Sequence, residues 1–343
     1  LKLRILVTGG AGFIGTNFVY HLMKRYPQYR ILVLDALTYA GNLENFSSEI
    51  KENPKFRFIR GDVCDAALVL DLVREVDCVV HFAAETHVAR SIFDDRKFFK
   101  TDVLGTQSVA NAVLRNKDHI RRFIHVSTSE VYGTALYQPM DEDHPLNPMT
   151  PYAAAKAGAD RLVYSYWRTY GLPIVIVRPF NQYGPYQHLE KVIPRFISSA
   201  LLGEPLTIHG DGTAKRDWLF VQETCERLDL VLHADDADVI GEVFNLGSGF
   251  DLDILGIARM ILKLLGLSEN LITFTPDRPG QVQHHISSTA KAEAVLKVRP
   301  CARFQEGLEK TIEWYAANRR WWERMLSMRR VEIVDKDGTV QFY

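Results

Sequence analysis

Residues 8–15 read Thr-Gly-Gly-Ala-Gly-Phe-Ile-Gly and follow the apolar run 3–7. Gly9, Gly12 and Gly15 therefore recur every third residue where a predicted strand gives way to a predicted helix. A helix N-terminus at such a join presents free backbone N–H groups and suits a dinucleotide pyrophosphate. The first glycine permits the tight turn, the second lets phosphate approach the backbone, and the third lets helix and strand pack closely. A second predicted strand, 30–34, runs into Asp35, twenty residues beyond Gly15. A carboxylate there can accept hydrogen bonds from both hydroxyls of an adenosine ribose, which favours NAD over NADP. A glycine triplet alone is a weak signal, but strand, glycines, helix, strand and acid in that order are a strong one.

The first 180 residues keep this alternation. Runs 3–7, 31–34, 56–59, 78–82, 123–126 and 174–177 are continuous and rich in β-branched residues, as parallel strands covered on both faces are. Helical stretches are predicted between them over 12–26, 66–75, 96–116 and 151–170. The expected fold is α/β: a doubly wound parallel sheet over 1–180, with parts of 217–250 returning to it. A smaller mixed α/β substrate domain is expected over 181–330. Its predicted elements are helix 192–202, strand 206–208, strand 218–221, helix 224–234, strand 243–246, helix 254–265 and helix 304–325. Residues 181–186 read as a loop. The tail 331–343 alternates around Asp335-Lys336-Asp337-Gly338 and reads as a β-hairpin or a frayed terminus.

Composition narrows the function classes. The net charge is -1, without a basic stripe, which argues against nucleic acid. No apolar run reaches about 18 residues, so no membrane span is expected, and no leader is visible before the first strand. Cys64, Cys78, Cys225 and Cys301 form no CxxC pair, which argues against a zinc site and fits a reducing cytoplasm. His284 and His285 are adjacent, yet no acidic or cysteine partner is spaced to complete a metal site, so none is expected.

Tyr152 and Lys156 stand at i and i+4 of one predicted helix and share a face. An ammonium beside a phenol favours phenolate and lowers its ordinary pKa of about 10. Such a tyrosine can take a proton from a sugar hydroxyl while hydride leaves the same carbon. Spacing alone does not carry this reading; the segment Ser127-Thr128-Ser129-Glu130-Val131-Tyr132-Gly133, at the carboxyl end of a strand, does. Ligand crevices of open parallel sheets lie at such ends. Thr128 can bond the same hydroxyl as Tyr152, and Tyr132 reads as structural.

With these residues in view, the chain resembles the extended short-chain dehydrogenase/reductases, whose nucleotide-binding fold is the Rossmann fold. Within them it is similar to nucleotide-diphosphate-hexose 4,6-dehydratases, especially those acting on dTDP-glucose. The matching stretches span nearly the whole chain. They are 7–15, 34–42, Gly61-Asp62-Val63, 81–88, 151–160, 181–186 with 190–194, and 210–221. The resemblance implies a lyase with tightly bound NAD. Tyr152 would deprotonate the C4 hydroxyl and Glu130 would remove the C5 proton. Water would leave from C6, and hydride would return there. It further implies that Phe13, Ile14, Asp62, Val63, Ala83 and Lys156 join the glycines and Asp35 around the cofactor. Thr86, His87, Asn181, Lys191, His209, Arg216 and Arg278 would bind a nucleotide-diphosphate sugar, the two arginines through its diphosphate. Relatives pair helices 96–116 and 151–170 across a homodimer.

The chain departs from that pattern at three positions. Ser129 stands where the dTDP-glucose enzymes usually carry an aspartic acid that protonates the leaving hydroxyl. GDP-mannose 4,6-dehydratases share Thr-Ser-Glu, so Glu130 can be both base and acid. Nucleotide-sugar uronate decarboxylases share it too, and epimerisation or oxidation alone is a third outcome. Thr86-His87-Val88 resembles the dehydratases, and the arginine of the decarboxylases aligns with Gln283. Ala89 replaces a usual Asp, and Asp102 a frequent Asn. A non-catalytic nucleotide sensor is disfavoured by the joint presence of Thr128, Tyr152 and Lys156.

Overall fold

The computed structural model describes residues 2–276, 284–299, 301 and 303–329, together with the backbone of 332–334 and 340–342. Seven parallel strands form the central sheet. They are β1 (Arg4–Thr8), β2 (Arg30–Asp35), β3 (Phe56–Arg60), β4 (Cys78–His81), β5 (Arg122–Val126), β6 (Ile174–Pro179) and, far along the chain, Val243–Leu246. The last strand lies beside β6, with Phe244 opposite Val177. From the opposite edge the order is β3, β2, β1, β4, β5, β6 and then that strand. The chain reverses direction across the sheet between β1 and β4, where Val7 pairs Val33 on one side and Val80 on the other. Such a reversal opens a crevice at the carboxyl ends of the strands.

The buried β-branched runs explain why the sheet is covered on both faces. One core packs Ile5, Val7, Val33 and Val80 against Phe18 and Leu22 of helix Phe13–Arg25, and against Leu228 and Val231 of helix Val221–His233. The other packs Leu6, Leu32 and Val79 against Val69, Val109 and Val163. A third core, around Ile193, Phe196, Ile257, Ile261, Leu308 and Trp322, builds the smaller lobe.

After β6 come β7 (Asn181–Tyr183), β8 (Leu206–His209) and β9 (Lys215–Phe220). With the seventh strand of the main sheet numbered β10, β11 (Asp251–Asp253), β12 (Ile272–Thr275) and β13 (His284–His285) follow. β9 carries β11, β13 and β7 as neighbours, while β8 pairs β12. The tail strands Glu332–Val334 and Val340–Phe342 pair antiparallel, as a hairpin requires.

Three expectations need correction. Residues 181–186 are not all loop: Asn181–Tyr183 pairs in parallel with Trp218–Phe220, a partner too distant in sequence for turn chemistry to reveal. The closing helix divides into Phe304–Ala317 and Arg319–Glu323 at Asn318, whose side chain bonds back to the Trp314 carbonyl. Helix 96–116 is interrupted by a π-helical segment, Phe99–Gly105.

Candidate active site

One cavity of about 400 Å³ runs along the carboxyl ends of the strands. Its floor is the glycine turn. Gly9 holds a φ of 68°, and a Cβ there would stand 2.6 Å from the Ala83 nitrogen. A Cβ on Gly15 would stand 2.5 Å from the Gly9 carbonyl, so helix Phe13–Arg25 meets the strand only because glycine is there. No side chain caps that helix at Gly12. Gly12, Phe13, Ile14 and Gly15 all line the cavity, presenting an open helix N-terminus to it.

Asp35 closes one end. Its carboxylate accepts from the Ala11 N–H (2.9 Å) and the Leu37 N–H (2.8 Å), which fixes its orientation. A carboxylate has about four lone-pair directions, so two remain for a ligand. Burial raises its pKa, and those two N–H groups act against the rise. This cradle fits a dinucleotide: an open helix end for the pyrophosphate and an oriented acid for a ribose.

At the other end β5 runs into a single 3-10 turn, Ser129–Tyr132. Thr128 caps that turn, its Oγ1 accepting from the Glu130 N–H at 3.2 Å. Thr128 also bonds the Tyr152 phenol, in the sense that favours its ionised form. Tyr152 and Lys156 come from the first turns of helix Pro151–Tyr170, which Thr150 caps through the Ala153 N–H. Thr128, Ser129, Glu130, Tyr152 and Lys156 thus share one cavity wall. The Lys156 ammonium donates to the Val126 carbonyl at 2.8 Å, locking it against the strand end.

The protonation states differ from the simplest expectation. Burial pushes the Tyr152 phenol well up, the Asp102 carboxylate adds to this, the Thr128 hydroxyl opposes it, and Glu130 adds further. Lys156, expected to lower it, is not among the groups that do, and its ammonium donates to the Val126 carbonyl. Burial also lowers Lys156, against which Asp102 and Asp160 support its charge.

Asp102 sits in the π-helical segment, 1% exposed. One carboxylate oxygen accepts from the Glu85 N–H at 2.8 Å, and the other is buried without a hydrogen-bond partner. Burial raises its pKa to about 7, against the attraction of Lys156. One turn beyond Lys156, Asp160 binds the Arg178 guanidinium through both oxygens, at 3.0 and 3.1 Å. This pair ties the helix to β6. Tyr132 joins the same network, receiving from Arg178 and donating to Asn245, in keeping with a structural role.

Of the predicted ligand residues, Asp62, Val63, Ala83, Thr86, Asn181 and Lys191 line the cavity. His87, His209 and Arg216 do not belong to its wall. His87 caps helix Val88–Phe93 and lies 3.4 Å from Glu190. His209 pairs with Thr275 at 3.1 Å, and Arg216 lies on β9, donating to the Lys215 carbonyl. Arg278 and Gln283 fall outside the described residues.

Sequence reasoning passed over Glu190, which lines the cavity and gathers Lys191, His87 and His188 within 4 Å. Burial would raise Glu190, but Lys191 and the two histidines hold it below the usual carboxylate range. His188 and Lys191, within two residues of this glutamate, were the available signal, whereas His87 lies 103 positions away and is brought to it only by the fold. Among the described residues, no three His, Cys, Asp or Glu side chains converge as a metal site requires, and no helix is long and apolar enough to cross a membrane.

The family described as GDP-mannose 4,6 dehydratase matches residues 6–311. A dTDP-glucose 4,6-dehydratase of Streptomyces niveus is 43% identical over 329 residues, covering 95% of this chain and 96% of the relative. The dTDP-glucose 4,6-dehydratase of Streptomyces venezuelae, solved with NAD bound, superposes with a TM-score of 0.88 at 41% identity, covering 94% of this chain and 99% of the other. The UDP-glucuronic acid 4-epimerase of Bacillus cereus, solved with UDP-glucuronic acid and NAD, reaches 0.86 at 31% identity, covering 92% and 99%.

Proposed function

The chain belongs to the GDP-mannose 4,6 dehydratase family, and from that premise we propose that it is an NAD-dependent nucleotide-diphosphate-hexose 4,6-dehydratase. The observation that carries this is a single cavity wall holding Thr128, Glu130, Tyr152 and Lys156 opposite an open, glycine-built helix end. NAD, when bound along that helix end, supplies the redox chemistry at C4 and C6 of the sugar. The chain's own residues do the rest. Gly12 to Gly15 hold the pyrophosphate, and Asp35 the adenosine ribose, where a 2′-phosphate would meet a carboxylate. Tyr152 takes the C4 hydroxyl proton while Thr128 bonds the same oxygen. Burial keeps Tyr152 a neutral phenol, so it is a base only with a cation beside it. Lys156, kept charged by Asp102 and Asp160, is the fixed cation of this wall. Glu130 then removes the C5 proton, made acidic by the C4 ketone, and water leaves from C6.

Thr86, Asn181 and Lys191 are assigned to the nucleotide-sugar from the cavity wall. His87, His209, Arg216 and Arg278 are assigned to it from the family resemblance. We also place a homodimer contact on segment 96–116 and helix Pro151–Tyr170, supported by Phe99 and Leu104, both exposed. The four free cysteines support a reducing, cytoplasmic setting.

Ser129 favours one second reading, since a serine lacks the acidity of the usual aspartate: decarboxylation of a uronate, or 4-epimerisation, after the same C4 oxidation. Offering several neutral nucleotide-hexoses and uronates and weighing the products separates the readings. Loss of one water is the expected result. Loss of carbon dioxide, or an isomer of unchanged mass, would replace the dehydratase assignment.

A further inference from the structure

A dehydratase must protonate the hydroxyl that leaves C6, and the wall residue nearest to that task is Ser129, which lines the cavity and is 2% exposed. A serine hydroxyl is far too weak an acid to do this alone. Its Oγ stands 3.5 Å from Nδ1 of His285, a residue 156 positions further along the chain. His285 is fully buried on β13, opposite Arg216 of β9, with its ring against Phe180 of the cavity wall. Neither contact serves any step derived above.

We propose that Ser129 and His285 form a two-membered proton relay that takes the place of the missing aspartic acid at C6. The proposal rests on the dehydratase reading. The direction of the Ser129 hydroxyl carries it. When His285 is neutral with Nδ1 unprotonated, Ser129 donates to Nδ1 and its proton points away from the cavity. When His285 is charged, Nδ1–H donates to the Ser129 oxygen and the hydroxyl proton is released toward the cavity. In the elimination the C6–O bond breaks with its electron pair on oxygen. That oxygen takes the Ser129 proton, and Ser129 takes the Nδ1 proton. Water and neutral His285 result. Glu130 separately carries the C5 proton, and Tyr152 the C4 hydroxyl proton, which returns to solvent as His285 is recharged from it.

Charged groups around the ring explain when the relay loads. Burial, then Arg216 on β9, His144 in the loop before helix Pro151–Tyr170, and His284 on β13 all disfavour the cation, while the Gly133 backbone favours it. Arg216 is also the residue assigned to the diphosphate. A diphosphate seated on it cancels the largest of these repulsive charges and adds negative charge near the ring. Burial, the largest cause, still disfavours the cation, so a bound diphosphate raises the loaded fraction without making it the resting state. His285 acts through Ser129 and is a positioning residue, while Ser129 touches the leaving group.

The test uses His285→Asn, which keeps a hydrogen-bonding amide near Nδ1 but cannot titrate, and Ser129→Ala. Each is given the nucleotide-hexose that the parent protein dehydrates, in deuterated water. Reduced-nicotinamide absorbance, deuterium uptake at C5 and water loss are followed separately. The relay predicts that both variants form the ketone and exchange C5 at close to the parent rate, but lose water at least about a hundredfold more slowly. Adding Ser129→Asp to His285→Asn should restore water loss, because a carboxylic acid needs no relay. Water loss slowed by less than about tenfold overturns the relay. So does an equal slowing of all three signals, which makes His285 only structural. A parent protein that oxidises no nucleotide-hexose fails at the first signal, and that outcome removes the dehydratase reading and the relay together.

Discussion

Replacing Asp160 by Asn tests the link between the buried ion pair and the catalytic helix. Asp160 and Arg178 are 0% and 2% exposed at the side chain, and the guanidinium meets both carboxylate oxygens. Burial would raise the Asp160 carboxyl, but Arg178 holds it far below the usual range. The isosteric amide keeps the shape and removes the charge, leaving a buried guanidinium with no anionic partner and only the amide oxygen, Tyr132 and the Glu142 carbonyl as acceptors. Breaking a buried pair from one side costs about 3–5 kcal/mol. For 343 residues at about 2.1 cal/mol/K each, the entropy of unfolding is about 0.7 kcal/mol/K, so the melting temperature should fall by about 4–7 °C. Urea unfolding followed by circular dichroism measures the free energy, and calorimetry the temperature. Adding Arg178→Met should cost less than the sum of the two single changes, because no charge is then stranded. The catalytic consequence follows from Lys156, whose charge Asp160 supports. In Asp160→Asn the alkaline fall in rate should move to lower pH. A stability loss below about 1 kcal/mol, with an unmoved pH profile, would refute both the coupling and the use made of it.

Three further outcomes are expected. Tyr152→Phe should lower turnover about a hundredfold or more while equilibrium binding of NAD, measured by calorimetry, is unchanged. Asp102→Asn should stabilise the protein in a pH-dependent way. The folded Asp102 is protonated up to about 7, whereas the unfolded one ionises in the ordinary aspartate range, so the parent loses about 1.4 kcal/mol per pH unit between those limits. The advantage of the variant in urea unfolding should therefore be near zero in acid, grow toward neutrality and level off above it. Sedimentation at micromolar concentration should show a dimer, and Leu104→Lys should shift it toward monomer, since that leucine is 55% exposed on the proposed contact.

The parts of the fold legible in sequence are those set by contiguous residues. The β-branched runs became the central strands, shifted by at most about two residues at their ends. The Gly9–Gly15 spacing became an open helix end because backbone contacts as close as 2.5 Å leave no alternative residue at Gly15. Thr128, Tyr152 and Lys156 come together because one strand end and one helix turn each place them locally. What stayed hidden depends on pairing across the chain. β7 exists only because β9 lies beside it, and the break at Asn318 follows from one side chain folding back on Trp314. The π-helical segment around Asp102 is a change of hydrogen-bond register, to which composition is blind.

The histidine doublet shows the same limit within the site. Adjacent in sequence, His284 and His285 raise the thought of a metal, and side-chain spacing supplied no third ligand. On a strand, neighbouring side chains leave by opposite faces. β13 accordingly sends His284 to the Asp251 carboxylate and His285 inward to Ser129. Ser129 was visible as a departure and His285 as an oddity, but their common meaning required β13 to be laid beside β9, next to the end of β5. A serine in place of an acid weakens a site only if nothing else can hold the proton. Here the fold sets an imidazole behind the hydroxyl, and behind the imidazole the arginine assigned to the substrate's own charge.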